Sequence, residues 1–226
     1  VMLKQLIKRI LSRETINEIR ARLSRIFGGN SIKARSGSKV LLGNSIIRGC
    51  KIRVLGKNCH VKFGRDNTLV NCEIIIFGDD CCITIGDNNL FRDCIMWLED
   101  SSSQIIIDNG NRFTGKVHMG IVEGTTLSIG DNCLLSSDIY ITTTDSHSII
   151  DLSTKERINP SANVSIGDHV WIGRKATIGK GVSIAEDVII GGSSFVSRSI
   201  DQSHVIAAGV PAKIIKTGVT WDAKRI

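Results

Sequence analysis

The sequence contains few aromatic residues, few prolines and no long apolar run. Phe, Trp and Tyr make up 4% of its 226 residues, so its core has to be built from Ile, Val and Leu. Only 2 prolines accompany the 22 glycines, which excludes a collagen-like chain. No apolar run approaches the roughly 20 residues that cross a bilayer, so no transmembrane helix is predicted. We expect one compact domain with at most a short appendage.

Cysteine pairs of the C-x-x-C type are also missing, although 7 cysteines are present. Because structural zinc sites favour such pairs, we expect reduced thiols and no metal. The net charge is +7, of which residues 1–27 carry +5, so the rest of the chain is nearly neutral. This distribution argues against nucleic-acid binding. Met2 is followed by a charged amphipathic stretch, so we expect no secretory signal and a cytoplasmic location.

An aliphatic residue recurs at every sixth position near the C-terminus. The members of this series are Ile166, Ile172, Ile178, Ile184, Ile190 and Val196. A small residue follows each member. Six consecutive matches are more than a helix of period 3.6 or a simple alternating strand would produce. The spacing predicts a solenoid of short repeats that bury their aliphatic side chains against one another.

A longer period of 22 residues runs through the upstream part of the chain. It relates Val61, Ile83, Ile105 and Leu127, then Phe63, Ile85, Ile107 and Ile129, and also Cys50, Cys72 and Cys94. We interpret this period as three six-residue faces plus about four residues in one wider corner, so that successive repeats stack as coils. With stacked strands about 4.8 Å apart, roughly eight coils between Leu42 and Ile206 would form a prism about 40 Å long.

These repeats resemble those of the hexapeptide-repeat acyltransferases, which fold as left-handed parallel β-helices. Within that family the chain resembles sugar O-acetyltransferases, such as galactoside and maltose acetyltransferases and capsular polysaccharide O-acetyltransferases, most strongly over residues 129–216. The left hand follows from the resemblance alone, because the period does not define it and crossover connections are usually right-handed. The resemblance implies an all-β, left-handed parallel β-helix that assembles as a homotrimer with active sites between neighbouring prisms.

The segment 1–29 is predicted to be a basic amphipathic helical segment that ends at Gly28 and Gly29. It could cover the open end of the solenoid, whose unpaired strand edges need protection. Alternatively, it could bind an anionic membrane surface and hold the protein at the inner face of the membrane. The solenoid is expected over residues 30–216, followed by a C-terminal tail over 217–226.

An insertion interrupts the solenoid after Ile141. Ile129 and Ile166 lie 37 residues apart, against 22 for a regular coil, which predicts a protruding loop over 142–163. By resemblance, a histidine in this loop, followed by the V-W-I-G stretch 170–173, is the catalytic base, and His147 matches that position. An imidazole can take a proton from a hydroxyl group and return it to a thiolate. Asp145 or a loop carbonyl could orient it; a solvated histidine is the alternative.

Three more residues are assigned by resemblance around the acetyl acceptor. Trp171 would wall the acceptor site, with packing at the trimer interface as the alternative. His118 stands where the family often has an asparagine that contacts the acceptor, which puts that contact in doubt. The backbone N–H of Arg174, just after the V-W-I-G stretch, would donate to the developing oxyanion.

The remaining histidines, His60, His169 and His204, lack supporting neighbours in the sequence and are expected on the solvated surface. A zinc site formed by three histidines between subunits would need a clustered motif that this sequence lacks.

The last coils are predicted to bind acetyl-CoA. Small residues leave a thin wall along which a pantetheine arm could lie, and basic residues could meet the coenzyme phosphates. The residues assigned to this site are Gly173, Gly191, Gly192, Ser197, Arg198, Lys213 and Lys216. The segment 207–216 resembles the terminal A-G-x-P-A-[KR] element of the family, which lies near the adenine. No P-loop or G-x-G-x-x-G element is present, which disfavours a nucleoside triphosphate or a dinucleotide.

Together these features predict an acetyl-CoA-dependent O-acetyltransferase that modifies a sugar hydroxyl during synthesis of a bacterial surface polysaccharide, capsule or lipopolysaccharide. N-acetylation of an amino sugar is the enzymatic alternative; because a neutral amine needs less help from a base, loss of His147 would matter less there. The alternative outside enzymology is an inactive solenoid that serves as a scaffold or a carbohydrate-binding module. Failure to bind coenzyme A would favour it.

Overall fold

The computed structural model describes residues 13–224, which form one helix followed by a β-solenoid. Helix α1 spans Arg13–Phe27. Its small residues Ala21 and Ser24 are buried, and the Ser24 hydroxyl accepts a hydrogen bond from the backbone N–H of Ile47 in the first coil at 3.1 Å. The helix therefore packs where a cap on the open end would lie. The predicted segment 1–12 lies outside the described residues.

Twenty-four strands follow the helix. In chain order they are β1 Ser31–Ala34, β2 Lys39–Leu41, β3 Ile46–Arg48, β4 Lys51–Val54, β5 His60–Phe63, β6 Thr68–Val70, β7 Glu73–Ile76, β8 Cys82–Ile85, β9 Leu90–Arg92, β10 Ile95–Leu98, β11 Gln104–Ile107, β12 Arg112–Phe113, β13 Val117–Ile121, β14 Thr126–Ile129, β15 Leu134–Leu135, β16 Ile139–Thr142, β17 Val164–Ile166, β18 Trp171–Ile172, β19 Thr177–Ile178, β20 Ser183–Ile184, β21 Val188–Ile190, β22 Phe195–Val196, β23 Val205–Gly209 and β24 Ala212–Thr217.

The strands form three parallel sheets, one on each face of a prism. The eight-stranded sheet has the order β1-β4-β7-β10-β13-β16-β19-β22, and the seven-stranded sheet has the order β2-β5-β8-β11-β14-β17-β20. The nine-stranded sheet runs β3-β6-β9-β12-β15-β18-β21-β23 and ends with β24, which pairs antiparallel to β23. The predicted fold class, an all-β, left-handed parallel β-helix with a short N-terminal helical segment, is confirmed.

The register of the sheets explains both sequence periods. Ile105 pairs with Ile83 on one side and with Leu127 on the other, so residues 22 positions apart stack in neighbouring coils. In the last coils Trp171 pairs with Ile189, a step of 18 that corresponds to three hexapeptides. All six members of the hexapeptide series are buried. Aliphatic side chains thus form continuous columns along the inside of the prism.

The extra residues of the 22-residue coil lie mainly at one corner, as predicted. Phe63 and Leu69 are six residues apart, as are their counterparts Ile166 and Ile172, whereas Ile74 and Ile85 are eleven apart. One detail differs from the prediction, since the solenoid begins at Ser31, before Leu42. Strand β1 is exposed throughout because no coil lies beyond it, so it carries no buried aliphatic pattern that could reveal it.

Asparagine and aspartate shape the corners. Asn58, Asp66 and Asn71 adopt positive φ angles of 53°, 56° and 54°, a conformation that these short polar residues tolerate. Asn89 lies inside a corner and is buried. Its side chain donates to the Asp108 carbonyl at 2.9 Å and accepts from the Asn111 N–H at 2.8 Å. Asn67, Asn89 and Asn111 stack in this way in successive coils and form an asparagine ladder. The ladder therefore supplies partners for backbone groups that the turns remove from the sheets.

All seven cysteines are free thiols, and six of them are buried. Cys72 and Cys133 lie inside the solenoid corners, where interactions with neighbouring groups and burial raise the pKa of each thiol to about 12. The main cause for Cys133 is burial. For Cys72 the hydrogen bond with the Cys50 thiol lowers the pKa, and the hydrogen bond with the Cys94 thiol and burial outweigh it. These thiols are core residues and not nucleophiles.

We predict that Asn89→Ala lowers the free energy of unfolding by about 1–3 kcal/mol, because the N–H of the buried Asn111 and the carbonyl of Asp108 lose their Asn89 partner. Asn163→Ala is the matched control, since the exposed Asn163 side chain accepts one hydrogen bond, from the Thr126 N–H at 2.9 Å. The control should change stability by no more than about 0.5 kcal/mol. Chemical denaturation followed by circular dichroism measures both, and equal effects of the two substitutions would contradict the role of the ladder.

Candidate functional site

The insertion leaves the prism at the corner where the chain passes from the eight-stranded to the seven-stranded sheet. We call this corner the loop edge; it includes residues 143–163 and, one coil later, residues 179–182. The corner from the nine-stranded to the eight-stranded sheet, which includes residues 173–176 and 191–194, is called the glycine edge. The predicted site residues are divided mainly between these two edges.

Asn159 holds the insertion loop together from within. Its side chain is buried, and its Nδ2 donates to the His147 carbonyl at 2.8 Å and to Asp145 Oδ2 at 3.0 Å. Its Oδ1 accepts from the Ile149 N–H at 2.6 Å. One carboxamide therefore fixes the backbone on both sides of His147.

Lys180 ties this arrangement to the solenoid. Its ammonium group lies 2.6 Å from Asp145 Oδ2 and donates to the Asn159 and Pro160 carbonyls at 2.9 and 3.0 Å. Lys180 first, and Asn159 second, hold the pKa of Asp145 below its ordinary value. The contribution of this carboxylate to loop order is therefore present above the pKa of a free aspartate and is lost as the pH falls through the folded-state value.

A second ion pair anchors the far end of the loop. Arg157 Nη1 lies 2.7 Å from Glu123 Oε1, and the Ser161 N–H donates to the other oxygen of Glu123 at 3.2 Å. Arg157 also donates to the Asn159 carbonyl at 3.1 Å. The contacts of Asn159 and those made with Glu123 thus hold the loop to the solenoid. The tip of the loop, residues 152–155, is exposed.

His147 is also exposed, but it lies nearer the base of the loop, because the tip is the turn 152–155 between the paired residues Ile150 and Arg157. Its backbone N–H donates to the Asp145 carbonyl at 2.8 Å, whereas its imidazole ring makes no hydrogen bond or ion pair with any other residue in 13–224. The Asp145 carboxylate, which was expected as an orienting partner, is bonded to Lys180 and Asn159 instead. The main chain of His147 is therefore fixed, and both ring nitrogens are available.

His118 lies on β13 of the eight-stranded sheet, half-buried beside Tyr140 of β16. The two ring centroids are 5.1 Å apart and the planes are tilted by 38°. Burial first, and the nearby Lys116 second, lower the pKa of His118, so its imidazole stays neutral at neutral pH. A neutral ring can both donate and accept one hydrogen bond, as an asparagine side chain can.

Backbones approach one another closely at the glycine edge. A Cβ atom added to Gly173 would lie 2.6 Å from the Gly192 nitrogen, and one added to Gly191 would lie 2.7 Å from the Ala208 Cβ. The backbone N–H of Arg174 makes no hydrogen bond within the described chain, and its guanidinium pairs with Asp138 at 3.2 Å. The backbone N–H of Arg174 is therefore available to a ligand, whereas its guanidinium is paired with Asp138.

The basic residues that were predicted to bind the coenzyme lie near two different edges of the prism. Lys213 lies on β24 opposite Ala208, next to the glycine edge, and Lys216 lies opposite Ile206 on the same strand. Ser197 and Arg198 follow β22 and belong to the loop edge. None of these three basic side chains forms an ion pair with another residue of 13–224. Free cations are therefore present at both edges.

Trp171 lies on the nine-stranded sheet with 37% of its surface exposed. Its ring centroid is 6.2 Å from that of Trp221 in the C-terminal tail. Trp221 also stacks on His169 with 4.3 Å between centroids and 10° between planes, and donates its indole N–H to the His169 carbonyl at 2.7 Å. The expectation that His169 is solvated was wrong, because the ring is covered by Trp221 and bonded to Asp187 at 2.6 Å. His60 and His204 are exposed.

Within residues 13–224, no three His, Cys, Asp or Glu side chains are grouped so that they could hold a metal ion. No helix of this described part is long and apolar enough to cross a membrane.

Comparisons with known proteins agree with the repeat and the coil stacking. Residues 163–198 match the family model described as bacterial transferase hexapeptide (six repeats). The solved structure of the polysialic acid O-acetyltransferase OatWY superimposes with a TM-score of 0.75 at 30% identity, over 88% of this chain and 90% of that chain. The chain belongs to the hexapeptide-repeat acyltransferases.

Two curated members of the hexapeptide-repeat family are similar over shorter stretches. The polysialic acid O-acetyltransferase of Escherichia coli O1:K1 / APEC is 32% identical over 53% of this chain and 38% of its own length. The galactoside O-acetyltransferase of Escherichia coli strain K12 is 34% identical over 47% of this chain and 52% of its own length. The chain thus spans about half or less of the length of these two relatives.

Several residues of the site were missed from the sequence. Asn159, Lys180 and Glu123 hold the loop, and Tyr140 and Trp221 line the faces beside His118 and Trp171. For Lys180 a signal existed, since it is one of the few charged residues in the hexapeptide region beside the insertion. The others make contacts that depend on how the loop and tail fold back, which no period reveals.

We predict that Asn159→Ala loosens the loop without unfolding the solenoid. The substitution removes the donors to His147 and Asp145 and the acceptor for Ile149, so the amide of Ile149 should exchange its hydrogen much faster while the strand amides stay protected. Ser153→Ala, which removes one exposed contact to Asp151 in the same loop, is the control. Hydrogen exchange measured by mass spectrometry would contradict the role of Asn159 if both variants exchanged like the wild type.

Proposed function

We propose that this protein transfers an acetyl group from acetyl-CoA to a hydroxyl group of a carbohydrate, with His147 as the general base. The observation that carries the proposal is the immobilised loop of a hexapeptide-repeat acyltransferase that presents an imidazole without internal partners. A scaffold would not need a buried asparagine and a lysine to fix the main chain at one exposed histidine. The named activities of the relatives, O-acetylation of polysialic acid and of galactosides, support the same chemistry.

The proposed reaction begins when His147 accepts the proton of the acceptor hydroxyl. The hydroxyl oxygen then forms a bond to the thioester carbonyl carbon, and the carbonyl oxygen becomes an oxyanion. The free N–H of Arg174 is the proposed donor to this oxyanion. As the C–S bond breaks, the imidazolium returns the proton to the leaving thiolate, so that an acetyl ester and coenzyme A are released and His147 is neutral again.

The glycine edge fits the acetyl donor. Its backbones are too close to admit side chains at Gly173 and Gly191, so the wall stays thin enough for a slender pantetheine arm. Lys213 lies at the same edge without an ion-pair partner and is available to a phosphate. Lys216, Ser197 and Arg198 are proposed to contact the more distant parts of the coenzyme.

The acceptor is proposed to lie between His118 and Trp171. His118 offers a neutral imidazole beside the Tyr140 hydroxyl, a pairing suited to sugar hydroxyl groups. Trp171 offers an aromatic face that is partly exposed. A surface polysaccharide of a bacterium, capsule or lipopolysaccharide, is the proposed class of acceptor.

A single chain does not complete this site. Arg174 belongs to the glycine edge and His147 to the loop edge, and the strands of the eight-stranded sheet separate these two edges. The base and the oxyanion donor therefore lie on different edges of one prism. We propose a homotrimer in which the loop edge of one subunit faces the glycine edge of the next.

Two other functions have less support from the site. N-acetylation of an amino sugar would need less from a base, and a binding module would need no free main-chain donor at the glycine edge. A cytoplasmic location is proposed because acetyl-CoA is available there. Contact of the basic N-terminal segment with the inner face of the membrane stays a prediction.

We predict that His147→Ala lowers turnover with a saccharide acceptor roughly 10²- to 10⁴-fold, as expected for a lost general base. Affinity for coenzyme A should not change, because His147 is proposed to act on the acceptor hydroxyl and not to bind the coenzyme. His60→Ala, at an exposed histidine on β5, is the matched control. Acetyl-CoA consumption, product mass and coenzyme binding are measured on both variants. Wild-type turnover in a folded His147→Ala protein would contradict the assignment, and absence of coenzyme binding in the wild type would favour the scaffold.

A further inference from the structure

A groove lies on the third corner of the prism, where the chain passes from the seven-stranded to the nine-stranded sheet. We call this corner the tail edge, because residues 221–223 of the C-terminal tail form one wall of the groove. The groove has a volume of about 510 Å³. Its floor follows the corner residues Asn88, Gly110, Asn132 and His169 through four successive coils. With coils about 4.8 Å apart, it runs for roughly 14 Å along the prism.

Three polar side chains of this groove have no partner among residues 13–224, although two of them, Asn88 and Asn132, shape the corners through their positive φ angles. The Arg112 guanidinium is exposed and makes no hydrogen bond or ion pair with any other residue between 13 and 224. The carboxamides of Asn88 and Asn132 likewise have no partner in this part of the chain. In contrast, corner residues of the neighbouring column, such as Asp87 and Asp131, are bonded across coils. Three polar side chains along one groove are thus free to bind a ligand.

The groove also has an apolar component and leads towards the proposed acceptor site. Trp221, held against His169, and Leu134 contribute to its walls. Leu134 pairs in register with Trp171, whose ring is 6.2 Å from that of Trp221. A polymeric ligand in the groove would therefore pass directly beside Trp171. An aromatic wall with free amides and a guanidinium suits a sugar ring that bears a carboxylate.

We propose that the tail-edge groove binds a carboxylate-bearing sugar residue of a polymeric acceptor, distant from the residue that is acetylated. Arg112 pairs with the carboxylate, the two asparagines bind ring hydroxyl groups, and Trp221 contacts the apolar face of the sugar. Asp222, which also lines the groove and accepts from the Lys224 N–H at 2.7 Å, faces hydroxyl groups rather than the carboxylate. This inference rests on the proposed acetyltransferase function and specifies its substrate as an acidic polysaccharide.

Binding is tested by calorimetry on the full chain without acetyl-CoA, with oligomers of sialic acid as the probe and dextran oligomers of equal length as the neutral control. Arg112→Ala should weaken binding of the acidic oligomer about tenfold or more, since it removes a charge-assisted contact. Arg112→Lys should retain part of the affinity because the charge remains but the planar fork is lost. Arg92→Ala, at an exposed arginine one coil away and outside the groove, should have no effect.

Several outcomes would overturn the proposal. These are equal affinity for dextran, absence of binding by the wild type, and unchanged affinity in Arg112→Ala. A change in assembly mass in Arg112→Ala would likewise overturn it, because the residue would then contact another copy of the chain. Acetyl transfer to a monosaccharide is measured separately on the wild type and on the Arg92→Ala control, and the two should transfer equally. If the wild type binds the acidic oligomer but transfers no acetyl group, the catalytic proposal is contradicted and the groove proposal is not.

Discussion

The in-register stacking of coils is the constraint on which the rest of this structure depends. Because Ile83, Ile105 and Leu127 occupy one column, every coil must return to the same face, one strand spacing further along the prism. Corners therefore have to turn sharply, which requires residues such as Asn58 and Asp66 at positive φ. Any residues beyond one coil must leave the prism. Stacking thus produces both a rigid body and, where the chain is longer, a projecting loop.

The loop acquires order from a small set of polar contacts rather than from a core. Asn159 and Lys180 connect the backbone beside His147 to the next coil, and no apolar cluster does so. Such contacts align a side chain without covering it, since the ring of His147 stays exposed. The C-terminal tail is held in a similar way, by the stacking of Trp221 on His169. Both appendages place functional groups outside a prism whose faces are otherwise filled.

The features that recur along the chain were predicted from the sequence, whereas contacts that occur only once were missed. The columns through Ile166 and its successors, the coil stacking and the insertion after Ile141 all follow from spacing, because a period is itself a structural constraint. The exposed strand β1 left no periodic signal. The partners of Asp145 and His169 were missed because they depend on where a loop and a tail fold back, which local sequence does not encode. The glycines at 173 and 191 were assigned because small residues leave a thin wall, and the structure adds that the backbones approach one another closely there.

The central claim is that the base and the oxyanion donor of one site come from two chains. Co-expression of His147→Ala with Gly192→Trp, each inactive alone, tests it most directly, because every mixed trimer places an intact loop edge against an intact glycine edge at one of its three interfaces. The mixed trimers, isolated through a different affinity tag on each variant, should therefore recover about a third of wild-type turnover on the same principle. Turnover no higher than that of the separate variants would contradict a shared site.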